Sequence, residues 1–172
     1  LSILPENKGK LHAAREGTRI LLEKPDVAYI AIVDQDGDHF PNELASFVRA
    51  AEHIAQTAHE DRILILGQRS NLHRPMGFLR GELEELVDRI LLDALHYHAY
   101  ASGRPLRLEY ATMLDEYPDF HSGYKLFSRR AAMDCLTGEP KLSGVDEACY
   151  YRHAVEAVMT VESIAKGAMM GI

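Results

Sequence analysis

Three aspartates at alternate positions follow a short apolar stretch of the chain. Residues 29–33 are apolar and rich in β-branched side chains, as in a buried β-strand, and Asp34, Asp36 and Asp38 come directly after them. Ligands of open α/β sheets bind just outside the carboxyl ends of the strands. Carboxylates gathered there without a local Lys or Arg repel one another, and a hard divalent cation such as Mg²⁺ or Mn²⁺ relieves that repulsion. The spacing therefore predicts a metal site with a phosphate-bearing substrate on the metal's other side.

The aspartates also have a purely structural interpretation. Asp is common in turns and helix caps, and Pro41 suits the first turn of a following helix. The spacing also matches the first part of an EF-hand calcium loop. That loop is excluded, because His39 stands where it needs glycine and Ala45 where it needs a bidentate Glu.

The elements around the aspartates predict an α/β fold. Strands are expected over 27–33 and 62–67, with a helix over about 42–58 between them, and this alternation is typical of parallel βαβ units. A long amphipathic helix over about 76–100 carries an apolar stripe. The stripe consists of Leu79, Leu83, Leu86, Val87, Ile90, Leu91 and Leu95. The other predicted elements are helices over 10–23, 129–136 and 146–168, and short strands near 106–110 and 123–127.

Size and composition indicate one ordinary globular domain over 1–172. The chain is 47% hydrophobic and 26% charged, and its net charge of −7 argues against nucleic-acid binding. No apolar stretch reaches the roughly 20 residues of a membrane span. Two cysteines without metal-like spacing favour a reducing cytoplasm. Because the first residue is Leu rather than Met, we expect a fragment that lacks its amino-terminal part.

Four segments, taken in order, resemble family 2 glycosyltransferases of the GT-A fold. The similarity is greatest to the branch that contains dolichyl-phosphate mannose synthase, and it covers most of residues 3–130. The segments are Asn7-Lys8-Gly9-Lys10, Asp34-Gln35-Asp36, Gly67-Gln68-Arg69 and Ser122-Gly123-Tyr124-Lys125. The resemblance implies a Rossmann-like nucleotide-diphospho-sugar transferase sandwich. It also implies an amino-terminal truncation, because the family's first strand, which contacts the nucleobase, would precede Leu1.

The resemblance assigns a donor site to the first three segments. Asp36 would ligate Mg²⁺ or Mn²⁺ directly, Asp34 would contact the metal or the ribose, and Asp38 would add a third ligand. The metal would neutralise the leaving diphosphate of a UDP- or GDP-sugar. Cationic side chains would contact the same diphosphate, Arg69 foremost. The others are Lys8, Lys10 and Arg80.

The fourth segment corresponds to the acceptor side in the family. Ser122 and Gly123 would line the acceptor pocket, and Asp119 stands at the distance of a general base. A sugar hydroxyl needs such a base, because its oxygen loses a proton as it attacks. A polyprenyl phosphate is already ionised and needs none, and Asp119 can equally cap a turn. We expect an inverting enzyme, in the cytoplasm or peripheral at the cytoplasmic face of a membrane, with any membrane contact made by parts outside this chain.

Two other functions fit parts of the sequence. One is a degenerate domain of the same fold that binds a nucleotide or a partner without turnover. The other is a phosphatase of the haloacid-dehalogenase type, in which Asp34 is the nucleophile and Asp36 the acid/base. That motif normally continues with Thr or Val where this chain has Asp38, and it leaves the segment at 122–125 unexplained.

Overall fold

A mixed β-sheet lies at the centre of the computed structural model. The residues described are 4–34, 39–69, 77–111, 117–142 and 144–172. Within them, four strands pair in the order β1-β3-β2-β4. The strands are β1 (Tyr29–Ile32), β2 (Ile63–Leu66), β3 (Lys125–Ser128) and β4 (Met169–Gly171).

Strand β3 lies between β1 and β2 and runs antiparallel to both. Its register places Tyr29 opposite Ser128 on one side and Leu66 opposite Lys125 on the other. Strands β1 and β2 therefore point the same way, as the strand–helix–strand alternation predicts, but they are not neighbours. The α/β class is confirmed. The insertion brings the carboxyl ends of β1 and β2 and the amino end of β3 to one edge of the sheet.

The described residues form six α-helices. They are α1 (Lys10–Leu22), α2 (Leu44–Ala58), α3 (Phe78–Ser102), α4 (Arg129–Leu136), α5 (Glu147–Arg152) and α6 (Val155–Ala165). A 3₁₀ turn over Pro41–Glu43 precedes α2. These bounds confirm the helices predicted over 10–23, 42–58 and 129–136 to within one or two residues.

Two predictions for the remaining segments were wrong. The single helix expected over 146–168 is interrupted at Ala154, whose φ of 50° is left-handed, and β4 follows α6. The interruption lets α5 pack against α1 while α6 packs against α4. No strand forms at 106–110, where Tyr110 makes only an isolated bridge to Gly171. The expected strand near 123–127 corresponds to β3.

Apolar side chains cover both faces of the sheet. Alternate residues of a strand point to opposite faces, so Ile63 and Ile65 pack towards α2 while Leu64 and Leu66 face the other way. The second face is covered by α1, α4, α6 and the carboxyl-terminal part of α3. Burial of each such Leu or Ile stabilises the fold by about 1.5–3 kcal/mol. This core fixes the strand ends that carry the candidate site.

Helix α3 packs on the body through the side opposite the amino-terminal part of its apolar stripe. Its buried residues are Gly81, Asp88, Leu92 and Leu95, and of these only Leu95 belongs to the stripe. Most of the stripe is solvent-exposed. Although α3 is 25 residues long, no helix in the described ranges combines the length and apolarity needed to cross a membrane.

Candidate functional site

Most of the predicted site residues that the structure describes come together around one edge of the sheet, whereas Lys8 and Arg80 lie at the surface. Asp34 follows β1, Arg69 follows β2, and Asp119, Ser122 and Gly123 precede β3. Because β3 is antiparallel to its neighbours, all three segments meet at that edge. Asp36 and Asp38, the other two aspartates of the predicted metal site, lie outside the described residues.

The turn before α1 is fixed against the end of α5. Gly9 has a φ of 114°, and a Cβ there would lie 2.4 Å from the carbonyl oxygen of Tyr151. The side-chain oxygen of Asn7 accepts a hydrogen bond from the Gly9 amide at 3.1 Å, and Arg152 donates to the Asn7 carbonyl at 2.7 Å. Only glycine fits this position, since it alone has both the conformation and the room. The turn thereby directs Lys10 towards the sheet edge.

Lys10 bridges two carboxylates. Its ammonium group contacts Asp34 Oδ1 and Glu156 Oε1. Burial alone would lower the pKa of Lys10, but the hydrogen bonds and charges of the two carboxylates raise it above its ordinary value. Burial would likewise raise the pKa of Glu156, and Lys10 lowers it instead. Lys10 therefore serves as a cation beside the predicted metal ligand Asp34, and Glu156 is a member of the site that sequence reasoning missed.

Gly123 lies directly against the carboxylate of Asp34. A Cβ on Gly123 would be 2.3 Å from Asp34 Oδ2 and 3.0 Å from Nε2 of His39. Any side chain at this position would displace the carboxylate, because real Cβ atoms do not approach so closely. The segment predicted for the acceptor side is thus in contact with the aspartate predicted for the donor side.

Arg69 and Asp119 form a bidentate ion pair. Arg69 Nη2 donates to Asp119 Oδ1 at 2.6 Å, and Arg69 Nε donates to Oδ2 of the same carboxylate. Arg69 Nη2 also lies 3.0 Å from Glu84 Oε2 on α3. Burial would lower the pKa of Arg69, but the two carboxylates raise it. Asp119 is only 3% exposed, so its carboxylate holds the guanidinium in one orientation.

The other two predicted phosphate ligands lie at the surface. Lys8 pairs with Glu6 at 3.6 Å. Arg80 is exposed, and its Nε lies 3.2 Å from Oε1 of Glu84, the carboxylate that also binds Arg69. Arg80 is therefore linked to the Arg69–Asp119 pair through Glu84.

Lys125 is a buried cation that sequence reasoning did not assign to the site. Its Nζ donates to the carbonyl oxygen of Ser122, and the residue has no exposed surface. Burial lowers the pKa of Lys125 to about 8, although the charges of Glu156, Asp119 and Asp34 oppose the shift. The available signal was a lysine directly before the apolar pair Leu126 and Phe127 of a predicted strand. Lys125 holds the Ser122 backbone that precedes Gly123.

Asp88 and His121 extend the polar cluster along α3. Asp88 Oδ1 and His121 Nδ1 are 2.7 Å apart, and Asp88 is buried one helical turn beyond Glu84. Burial raises the pKa of Asp88, while the hydrogen bond to Asp88 raises the pKa of His121. The pair satisfies a carboxylate that would otherwise be unpartnered on the buried side of the helix.

The charges in the described part of the site balance. The carboxylates are Asp34, Glu84, Asp119 and Glu156, and the cations are Lys10, Arg69, Arg80 and Lys125. Among the residues that the structure describes, no three His, Cys, Asp or Glu side chains are grouped to hold a metal ion. Asp34 is the one member of the predicted metal set that lies in those ranges.

Comparisons with known proteins establish no family for the chain. No protein-family model matches it, and neither a curated protein nor a solved structure does.

Proposed function

We propose that the chain is the α/β domain of a metal-dependent, inverting glycosyltransferase of the GT-A type. Its donor would be a UDP- or GDP-sugar and its acceptor a polyprenyl phosphate or a sugar hydroxyl. The observation that carries the proposal is the meeting of Lys10, Asp34, Arg69 and Gly123, from four sequence-distant segments, at one sheet edge. Gly123 lies there against the carboxylate of Asp34. These are the same segments through which the sequence resembles that family.

The donor chemistry of the site fits a hard divalent cation. Asp34, Asp36 and Asp38 would hold Mg²⁺ or Mn²⁺ through carboxylate oxygens, which those ions prefer. When bound, the ion would act as a Lewis acid for the departing diphosphate. Because the described charges already balance, Asp36 and Asp38 would make the proposed site acidic. An anionic diphosphate would bind poorly beside them without a cation.

The chain's own cations would orient the diphosphate. Asp119 and Glu84 hold the Arg69 guanidinium at the carboxyl end of β2, where a phosphate oxygen of the donor can meet it. Lys10 keeps Asp34 in place from the side of α1. These contacts preorganise the site before substrate arrives, which lowers the cost of binding.

The position of Asp119 favours one class of acceptor. Both of its oxygens accept hydrogen bonds from Arg69, so its role here is to position that cation. A base at Asp119 is required only for a sugar hydroxyl. The geometry therefore supports an acceptor that arrives ionised, such as a polyprenyl phosphate, and the base role of Asp119 stays a prediction.

One observation favours a second candidate function, nucleotide binding without turnover. The Lys10 ammonium contacts Asp34 Oδ1, an oxygen that a metal ion would otherwise use. In a degenerate domain this ion pair would replace the metal. Nucleotide binding would then be independent of divalent ions.

Calorimetry with three ligands separates these functions. UDP, GDP and pyrophosphate are titrated into the chain with and without Mn²⁺, and pyrophosphate tests the diphosphate site without any nucleobase contact. We expect Mn²⁺-dependent binding that Asp36→Ala abolishes and that Asp93→Ala, at an exposed aspartate of α3, leaves intact. Nucleotide binding that is independent of Mn²⁺ would favour the degenerate domain. A folded chain that binds none of the three ligands would contradict both functions.

A further inference from the structure

Helix α3 presents a heptad stripe of large apolar side chains to solvent. Leu79, Leu83, Leu86 and Ile90 are spaced by four, three and four residues, and their exposed fractions are 73%, 52%, 51% and 58%. This spacing is that of the a and d positions of a coiled coil. Single exposed leucines are ordinary on protein surfaces, whereas a contiguous apolar stripe marks an interaction surface.

Within the described ranges, the rest of the protein packs on the other side of α3. Gly81, Asp88 and Leu95 are buried, and they lie on the side of α3 opposite the four exposed side chains. A second helix could therefore pack along Leu79, Leu83, Leu86 and Ile90 without displacing any described core residue.

We propose that a second copy of this chain covers the stripe, with the two α3 helices packed antiparallel about a two-fold axis between Leu83 and Leu86. In that register Leu83 faces the second copy's Leu86, and Leu79 faces the second copy's Ile90. By symmetry the same contacts occur twice, so the four layers formed by Leu79, Leu83, Leu86 and Ile90, here called the seam, are all apolar. The interface is closed by its own two-fold axis, as expected for a dimer.

The charges beside the stripe fit this register. Glu82 and Arg89 both flank the seam on the same side, seven residues apart, at the g positions of the heptad. In an antiparallel pair the g positions of the two helices face each other, so Glu82 meets the second copy's Arg89 twice by symmetry. Within one copy the Arg89 guanidinium contacts Glu85 and lies 4.7 Å from the centre of the Tyr117 ring, and its side chain is half exposed. Pairing across the seam would therefore exchange these contacts for Glu82 of the second copy.

A parallel pair lacks this complementarity. Asp93 continues the seam at the next d position, and in a parallel pair it would face its own counterpart in a dry interface. Glu82 would then face Val87 of the second copy rather than a cation. The charges therefore select the antiparallel arrangement.

The charges on α3 also favour a protein partner over a membrane. The helix carries five acidic and two basic side chains. Interfacial helices that bind anionic lipid carry the opposite bias, with Lys and Arg on the polar face.

Analytical ultracentrifugation of the whole chain tests the proposal. We expect a reversible monomer–dimer equilibrium that Leu86→Glu shifts fully to monomer, because it buries two carboxylates in the seam. Ile20→Glu, at an exposed position of α1, is the matched control and should leave the dimer intact. Circular dichroism checks that each variant is folded. A wild-type chain that stays monomeric at all accessible concentrations would overturn the proposal, and a monomer that sediments with phosphatidylglycerol vesicles would assign the stripe to a membrane instead.

Charge reversals test the register. Glu82→Arg and Arg89→Glu should each weaken the dimer by roughly tenfold (about 1.4 kcal/mol), because both symmetric pairs become repulsive. An equimolar mixture of the two variants should recover the dimer, since in the mixed pair each g position again faces one of opposite charge. The control reversals Glu139→Arg and Lys24→Glu should have no effect. Single reversals that leave the affinity unchanged, or a mixture that fails to recover it, would refute the antiparallel register.

Discussion

The buried Lys125 should give the protein a stability that rises with pH in the alkaline range. Its ammonium group has no exposed surface, and burial lowers its pKa from an ordinary value near 10.5 to about 8 in the folded state. Between those two pH values the unfolded chain binds the extra proton and the folded chain does not. The free energy of unfolding therefore increases as the pH rises through this window.

The size of the effect follows from the difference between the two pKa values. Each pKa unit corresponds to about 1.4 kcal/mol, so the full difference is worth about 3 kcal/mol. Of this free energy of unfolding, roughly 2 kcal/mol should be gained between pH 7 and pH 9.5. The remainder is not reached because Lys125 in the unfolded chain is still largely protonated at pH 9.5. Burial raises the pKa of the Cys135 thiol, which acts in the opposite direction.

The contribution of Lys125 to the free energy of unfolding is measured by urea denaturation of the wild type and of Lys125→Met at several pH values. Cys135 is present in both proteins, so its effect cancels in the difference between their unfolding free energies. We expect that difference to change by about 2 kcal/mol in favour of the wild type from pH 7 to pH 9.5. The variant's absolute stability is not the test, because Met also leaves the Ser122 carbonyl without its donor. Parallel pH profiles for the two proteins would refute a buried, titrating Lys125.

Two further predictions concern the neighbours of this lysine. Gly123→Ala should lower the unfolding free energy by about 1–3 kcal/mol in urea, because its Cβ would overlap the carboxylate of Asp34. Gly17→Ala, where a Cβ meets nothing within 4 Å, should instead raise it by roughly 0.5–1 kcal/mol, and equal effects of the two substitutions would contradict the close contact. The hydrogen bond to Asp88 raises the pKa of His121 in the folded protein. The stability that this pair supplies is therefore present below pH 6.5 and is lost as the pH rises through the raised pKa of His121. The difference in melting temperature between the wild type and His121→Asn should therefore shrink from pH 5.5 to pH 8.5, and a constant difference would count against the pair.

Local periodicity predicted the helices better than the sheet. Helices α1, α2 and α4 carry their boundaries in their own sequence, in apolar spacing and in flanking Gly and Pro residues. The position of β3 between β1 and β2 depends on pairing between segments far apart in the chain, which leaves no local pattern. Similarly, the stripe on α3 indicates an amphipathic helix, but its spacing alone does not show which side faces the body. Asp88 can lie on the buried side of α3 because its carboxylate forms a hydrogen bond with His121.

The candidate site was predictable where a residue type is unusual at its position. Asp34, Arg69 and Gly123 follow or precede strands, and the structure brings all three to one edge. Glu156 and Lys125 were missed because a Glu in a helix and a Lys near a turn look like ordinary surface charges. Their burial and pairing come from the tertiary arrangement of α1, α6 and β3. The Arg69–Asp119 pair was likewise outside what sequence spacing shows.

The most direct test of the proposed metal-dependent site is a titration with substoichiometric Mn²⁺ followed by ¹H–¹⁵N NMR. Paramagnetic Mn²⁺ broadens the amide signals nearest to it. We expect the signals of Gly123 and Lys10 to broaden first and that of Gly103, beyond the far end of α3, to be spared. Asp36→Ala should remove this selective effect. Broadening centred elsewhere, or equal at all amides, would contradict a metal site at this edge of the sheet.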